Sequence, residues 1–125
     1  MKVSIIDPVG GHGGMDYYDY GLAYGLGSNS ISVDYYTCSD TSHRTFENVQ
    51  TKDVFGNVWK KSSFFKLHAF LMGYFKAFKD ARLNKTDVFH FQFFSLGNLN
   101  LVVLCLAFWF KQKKVVTLHD VESFD

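Results

Sequence analysis

A chain of 125 residues is long enough for one domain with a real core and too short for two. It is 47% hydrophobic, with 14 Phe and 7 Tyr, which excludes a disordered chain. The net charge of +1 hides an asymmetry: residues 1–50 carry Lys2 and Arg44 against six acids, hence −4, whereas residues 51–125 carry eleven basic and six acidic groups, hence +5. A basic second half either meets an anionic surface or is simply a solvated face. Its lysines are scattered and form no nucleic-acid recognition module, so no nucleic-acid partner is expected. Cys38 and Cys105 lie far apart without a CxxC spacing, as expected of reduced thiols in a cytoplasmic protein. The start MKVSIIDPVGG turns polar too soon for a signal peptide. The longest apolar run, 99–110, falls short of the roughly 20 residues that span a bilayer.

In chain order, residues 2–7 form a short apolar run closed by Asp-Pro and glycines, which predicts a buried strand. Residues 15–26 place apolar or small side chains at 15, 18, 22 and 25–26, a helical spacing, with Gly27 positioned as a left-handed cap. ISVDYYTC, 31–38, is β-branched and aromatic and predicts a second strand. The polar segment 41–59 holds a short third strand or a hairpin. Residues 62–84 read as a long helix with Phe64, Leu67, Leu71, Tyr74, Phe75 and Phe78 on one face. DVFHFQFF, 87–94, is a strand, 96–110 a second apolar helix buried on most sides, and KVVTL, 114–118, a final strand. Strands alternating with helices predict an α/β fold with a parallel sheet covered by helices on both faces. In such sheets ligands bind beyond the carboxyl ends of the strands. Residues 10–14, 92–95 and 119–122 fall there.

Four glycines around His12 open the first predicted helix, where backbone amides and the helix N-terminus can hold an anion. A bare strand-to-helix turn remains the alternative. The dinucleotide fingerprint GxGxxG fails, since Asp16 stands where the third glycine belongs, and no GxxxxGK[ST] is present. His12 is a candidate ligand-binding side chain or a surface residue; Asp16 and Asp19 beside it complement a helix dipole more readily than they bind a metal. His90 alternates with Phe89 and Phe91 and reads as a satisfied core histidine, whereas Gln92 lies nearer the strand end and can aim polar atoms into a cleft. His119, followed by Asp120 at a strand's carboxyl end, is the strongest functional candidate, against a loop histidine. GxSxG, HExxH and zinc-ribbon spacings are absent. The segment KKSSFFKLHAFLMGYFKAFKDARLNK is basic, aromatic and amphipathic, which suits either a helix laid on the sheet or a peripheral membrane contact.

Taken in order, the glycine loop with its flanking elements, DVFHFQFF and KVVTLHD resemble the start of a GT-B glycosyltransferase, most like family 4. There the first loop typically ends in Gly-Gly before a helix, as Gly13-Gly14 does, and strands of the form Asp-Val-Val-His-x-His and Val-Val-x-Thr-x-His-Asp follow. The resemblance implies a Rossmann-like N-terminal domain, incomplete within residues 1–125, that faces a second, donor-binding domain. It implies retaining transfer of a sugar from a nucleotide-sugar co-substrate to a glycan or lipid-linked acceptor, with no metal and no other cofactor, in the cytoplasm or at the cytoplasmic face of the membrane. Gly13 and Gly14 would approach the donor phosphates. His119 would sit by the reacting sugar as the catalytic residue. His12, Asp16, Tyr17, Gln92 and Asp120 would line the substrate site. Gln92 departs from the second histidine of the strand motif. The donor domain's carboxylates and basic residues lie outside this sequence, so the chain alone is expected to be inactive. The competing expectation is a non-catalytic α/β module that docks on a membrane or a protein partner.

Overall fold

The computed structural model describes residues 1–94 and 97–119. Five parallel strands form one sheet: β1 (Lys2–Ile6), β2 (Ser32–Thr37), β3 (Val49–Asp53), β4 (Val88–Phe93) and β5 (Lys113–Leu118), in the order β3-β2-β1-β4-β5. β1 lies at the centre and the chain winds outward on both sides of it. Each parallel step needs a crossover; helices α1 (Asp16–Ser28), α2 (Ser63–Leu83) and α3 (Asn98–Ala107) supply three of the four, and the segment 38–48 without a helix links β2 to β3. The uncertain segment 41–59 contains β3, a strand rather than a hairpin.

The pleat sorts the side chains into two cores. On one face Ile6, Tyr36, Phe89, Phe91 and Phe93 pack with Tyr74, Ala77, Phe78 and Ala81 of α2 and with Val103 and Ala107 of α3. On the other face Val3, Ile5, Val33 and Tyr35 pack with Tyr20 and Ala23 of α1. His90 and Gln92 belong to this α1 side, as the alternation with Phe89, Phe91 and Phe93 implies.

Each helix differs from its sequence pattern in an informative way. α1 buries Asp19, Tyr20, Ala23 and Gly27; of the expected stripe at 15, 18, 22 and 25–26, Leu22 and Leu26 pack partly buried against this core, whereas Tyr18 and Gly25 are exposed. Gly27 is not a left-handed cap. It lies inside the helix because a side-chain carbon there would sit 2.5 Å from the Glu47 carbonyl oxygen, and Ser30 takes the positive φ of 63° instead. α2 buries Gly73, Tyr74, Ala77, Phe78 and Ala81, while Phe64, Leu67, Leu71 and Phe75 face outward. Small residues win the contact stripe because they let the helix approach the sheet closely; Gly73, for one, lies against the Phe55 ring. α3 is ten residues long and buries only Val103 and Ala107, so the apolar run is a half-exposed helix followed by the turn 108–110.

Candidate functional site at the carboxyl edge

β1 ends at Ile6, and Asp7 accepts a hydrogen bond from the Val9 amide through Oδ1 (2.8 Å), which starts a turn. Residues Gly10–Gly13 then form one turn of 3-10 helix that closes at Gly14, φ 69°. The turn engages its own amides: His12 N–H donates to Val9 O, Gly14 N–H to Gly11 O and Met15 N–H to Gly10 O. Gly10 is required where it stands, with φ 43° and space for a side-chain carbon only 2.2 Å from Thr41 Oγ1. The Gly11 amide donates to the same Thr41 hydroxyl (2.9 Å), so the loop is fastened to the segment after β2. Gly14 faces open space.

Beneath this loop lies an acidic pair that periodicity alone did not single out. Asp19 and Asp7 are both buried and share a hydrogen bond. Tyr35 Oη–H donates to Asp19 Oδ2 (2.7 Å). Burial foremost, then the charge and hydrogen bond of Asp7, push the Asp19 carboxyl up to about 9, with Tyr35 pulling the other way. Asp19 therefore carries a proton at neutral pH. That proton gives Asp19 Oδ1, which has no protein donor, a bond to make toward Asp7. The same burial, with Asp19 next, raises the Tyr35 phenol well above its usual range.

The described residues of the three expected edge segments, 10–14, 92–94 and 119, come together at the carboxyl edge. Gln92 of β4 is buried, and its Oε1 accepts a hydrogen bond from His119 Nε2 (2.8 Å). An amide oxygen only accepts, so His119 Nε2 carries the proton of this bond. The register explains the meeting: Gln92 pairs with Thr117, and His119 lies two residues on, with the same facing. The His119 amide continues the ladder by donating to Phe93 O (3.0 Å). Tyr18 of α1 presents an edge to the imidazole at 5.1 Å, and the Phe94 ring lies 6.2 Å away. The Phe94 ring also lies 3.5 Å from where a Gly13 side-chain carbon would be, which joins the glycine loop to the histidine. Gln92 Nε2 is buried and has no partner among the described residues, so one donor remains at this point of the edge.

His90 sits one turn of the pleat deeper, bonded through Nε2 to Thr117 Oγ1 (2.8 Å). Burial, and then the neighbouring His119, depress its basicity, so it is a neutral, satisfied histidine. His12 turns away from His119. Its ring stacks on Trp59 (4.5 Å between centroids, 2° between planes), and Nδ1 pairs with Asp40 Oδ2 at 3.0 Å. Asp16 accepts from Ser42 Oγ (3.3 Å). Tyr17 is exposed, and it is Tyr18, the next residue, that reaches the histidine. Asp120 lies outside the described residues. Tyr18 and Phe94 were legible only as members of the right segments, because the phase of α1 is decided by packing. Among the described residues no cluster of three or more His, Cys, Asp or Glu is placed to hold a metal ion, and no helix is long and apolar enough to cross a membrane.

No protein-family profile matches this chain, and no curated protein does. Among solved structures it is similar to sucrose-phosphate synthase from Thermosynechococcus elongatus, with a TM-score of 0.66 and 16% sequence identity. The match covers 96% of this chain and 33% of that one, so the chain spans about a third of the length of its structural relative. Likeness at this identity concerns the backbone architecture, and the architecture is what the parallel sheet and its crossovers display. This chain has a Rossmann-like α/β fold, the architecture it shares with about a third of that sucrose-phosphate synthase.

Proposed function

We propose that the chain is the acceptor-side domain of a retaining glycosyltransferase, which moves a sugar from a nucleotide-sugar donor to a glycan or lipid-linked acceptor. The observation that carries this reading is the His119–Gln92 pair at the carboxyl edge, held by Tyr18 and Phe94 within reach of the glycine loop. An imidazole fixed by Gln92 through Nε2 presents its Nδ1 edge for a hydrogen bond with a sugar hydroxyl. The orphaned Gln92 Nε2 is a complementary donor. Gly14 faces open space without a side chain, which leaves room for a diphosphate to approach the backbone. The donor-holding groups belong to a second domain that would close over this edge, with the nucleotide sugar as co-substrate and no bound metal or other cofactor.

The test is His119→Ala in the full-length transferase, with turnover of a panel of nucleotide sugars as the readout. Loss of one positioned polar group at the reacting sugar is expected to lower kcat by about 10²-fold or more. Gln92→Leu, which leaves His119 without its partner, is expected to fall between. Unchanged turnover in His119→Ala would refute the role given to the histidine.

A further inference from the structure

The two helices on the α2 side present an outer surface that the core does not use. The solvent face of α2 carries Phe64 (76% exposed), Phe65, Met72 and Phe75 (61%), and next to it α3 and its following turn expose Leu101, Leu106, Phe108 and Trp109 (87%). Between them runs a groove of about 690 Å3 floored by Tyr74, Phe78 and Val103, with Lys79 and Arg82 on its wall. An apolar area of this extent is not the scattered exposure that any surface shows.

Its charges have one sign. Between Lys60 and His119 the chain carries ten basic side chains and two acids, Asp80 and Asp87. Both acids are engaged elsewhere: Asp80 by Lys52 (2.5 Å) and Tyr36 (2.7 Å), Asp87 by the Lys2 amide (2.7 Å). Lys76, Lys79 and Arg82 on α2 remain among the exposed aromatics and, among the described residues, form no ion pair, because Asp80 beside them is turned to Lys52 and Tyr36. A second copy of the chain laid on this face would set lysine against lysine. A protein interface also gathers its apolar groups centrally within a polar rim, whereas here cations and rings are interleaved along the same helix face. That interleaving, rings at acyl depth and cations at headgroup depth, is what an anionic bilayer selects.

We infer that the α2–α3 face docks on an anionic lipid bilayer, with Phe64, Phe75 and Trp109 entering the interface and Lys76, Lys79 and Arg82 meeting the headgroups. This goes beyond the transfer reading, and its test contains no sugar, so either can fail without the other. Docked by this flank, the carboxyl edge with His119 stays uncovered and opens along the membrane surface.

The purified chain is floated with vesicles of equimolar phosphatidylglycerol and phosphatidylcholine, and with phosphatidylcholine alone, at low and high salt. Co-flotation with the anionic vesicles at low salt is expected, with loss in neutral vesicles and at high salt. Lys76→Glu with Lys79→Glu is expected to weaken partitioning by about thirtyfold or more, from about fivefold for each basic side chain lost. Trp109 fluorescence is expected to shift to the blue on vesicle addition, and the shift should vanish in Trp109→Phe while Trp59 emission stays constant. All these side chains are exposed, so an unchanged thermal unfolding curve certifies the variants' fold. Absence of flotation at low salt would overturn the inference. So would equal partitioning of the charge-reversed variant, or a concentration-dependent dimer that shifts Trp109 without any vesicle.

Discussion

Replacing Asp19 by Asn should stabilise the protein at neutral pH and leave it unchanged in acid. Asp19 ionises at its ordinary value near 3.8 when the chain is unfolded, and at about 9 when folded. Its folded-state value is the higher one, so between those two pH values folding must take up a proton, and stability falls as pH rises through that window. Each unit of separation corresponds to about 1.4 kcal/mol, and pH 7 lies roughly three units above the ordinary value, which gives an upper limit of about 4 kcal/mol. An Asn side chain keeps an oxygen to accept from Tyr35 and an amide to donate to Asp7, yet needs no proton. We therefore expect a gain of about 2–4 kcal/mol at pH 7 and close to none near pH 4, read from urea unfolding followed by circular dichroism at several pH values. A variant that is destabilised at pH 7, or whose gain is the same at both pH values, would refute a protonated Asp19 in the folded state.

Two further expectations separate buried from exposed parts of the pattern. Phe78→Ala, which empties a site among Tyr74, Phe89, Phe91 and Phe110, should cost about 3–5 kcal/mol, whereas Phe75→Ala, three residues earlier on the same helix but facing solvent, should stay within about 0.5 kcal/mol; equal losses in denaturant unfolding would mean that the phase of α2 is other than described. Gly10→Ala places a methyl group against Thr37 Oγ1 and Thr41 Oγ1 at a positive φ and should cost about 2–4 kcal/mol, so a Tm equal to that of the parent protein would show that the loop is not fastened to Thr41.

Four of the strands were legible because each is a short β-branched or aromatic run bounded by glycine or polar residues; the polar VQTKD of β3 was not, since only its pairing with β2 makes it a strand. The alternation in DVFHFQFF by itself separates Phe89, Phe91 and Phe93 from His90 and Gln92, since a strand's period of two is imposed by the backbone. The helices were legible in place but not in phase. Phe64, Leu71 and Phe75 were expected inside, but α2 turned Gly73, Ala77 and Ala81 to the sheet because closeness of approach outweighed the bulk of the phenylalanines. A helix has several apolar stripes to choose from when aromatics are this frequent, and only the partner surface decides among them. For the same reason Tyr18 rather than Tyr17 reaches His119, and His12 leaves the cleft for Trp59 and Asp40.

The sequence by itself determined the α/β class, the order of strands and helices apart from β3, and the segments that end at the carboxyl edge. These depend on local pattern and on chain connectivity. The tertiary structure alone decided that His119 meets Gln92, because that contact joins residues 27 positions apart through the register of β4 on β5. It alone decided that the Asp19 carboxyl is raised, since a pKa is set by burial and neighbours that no local stretch of sequence contains.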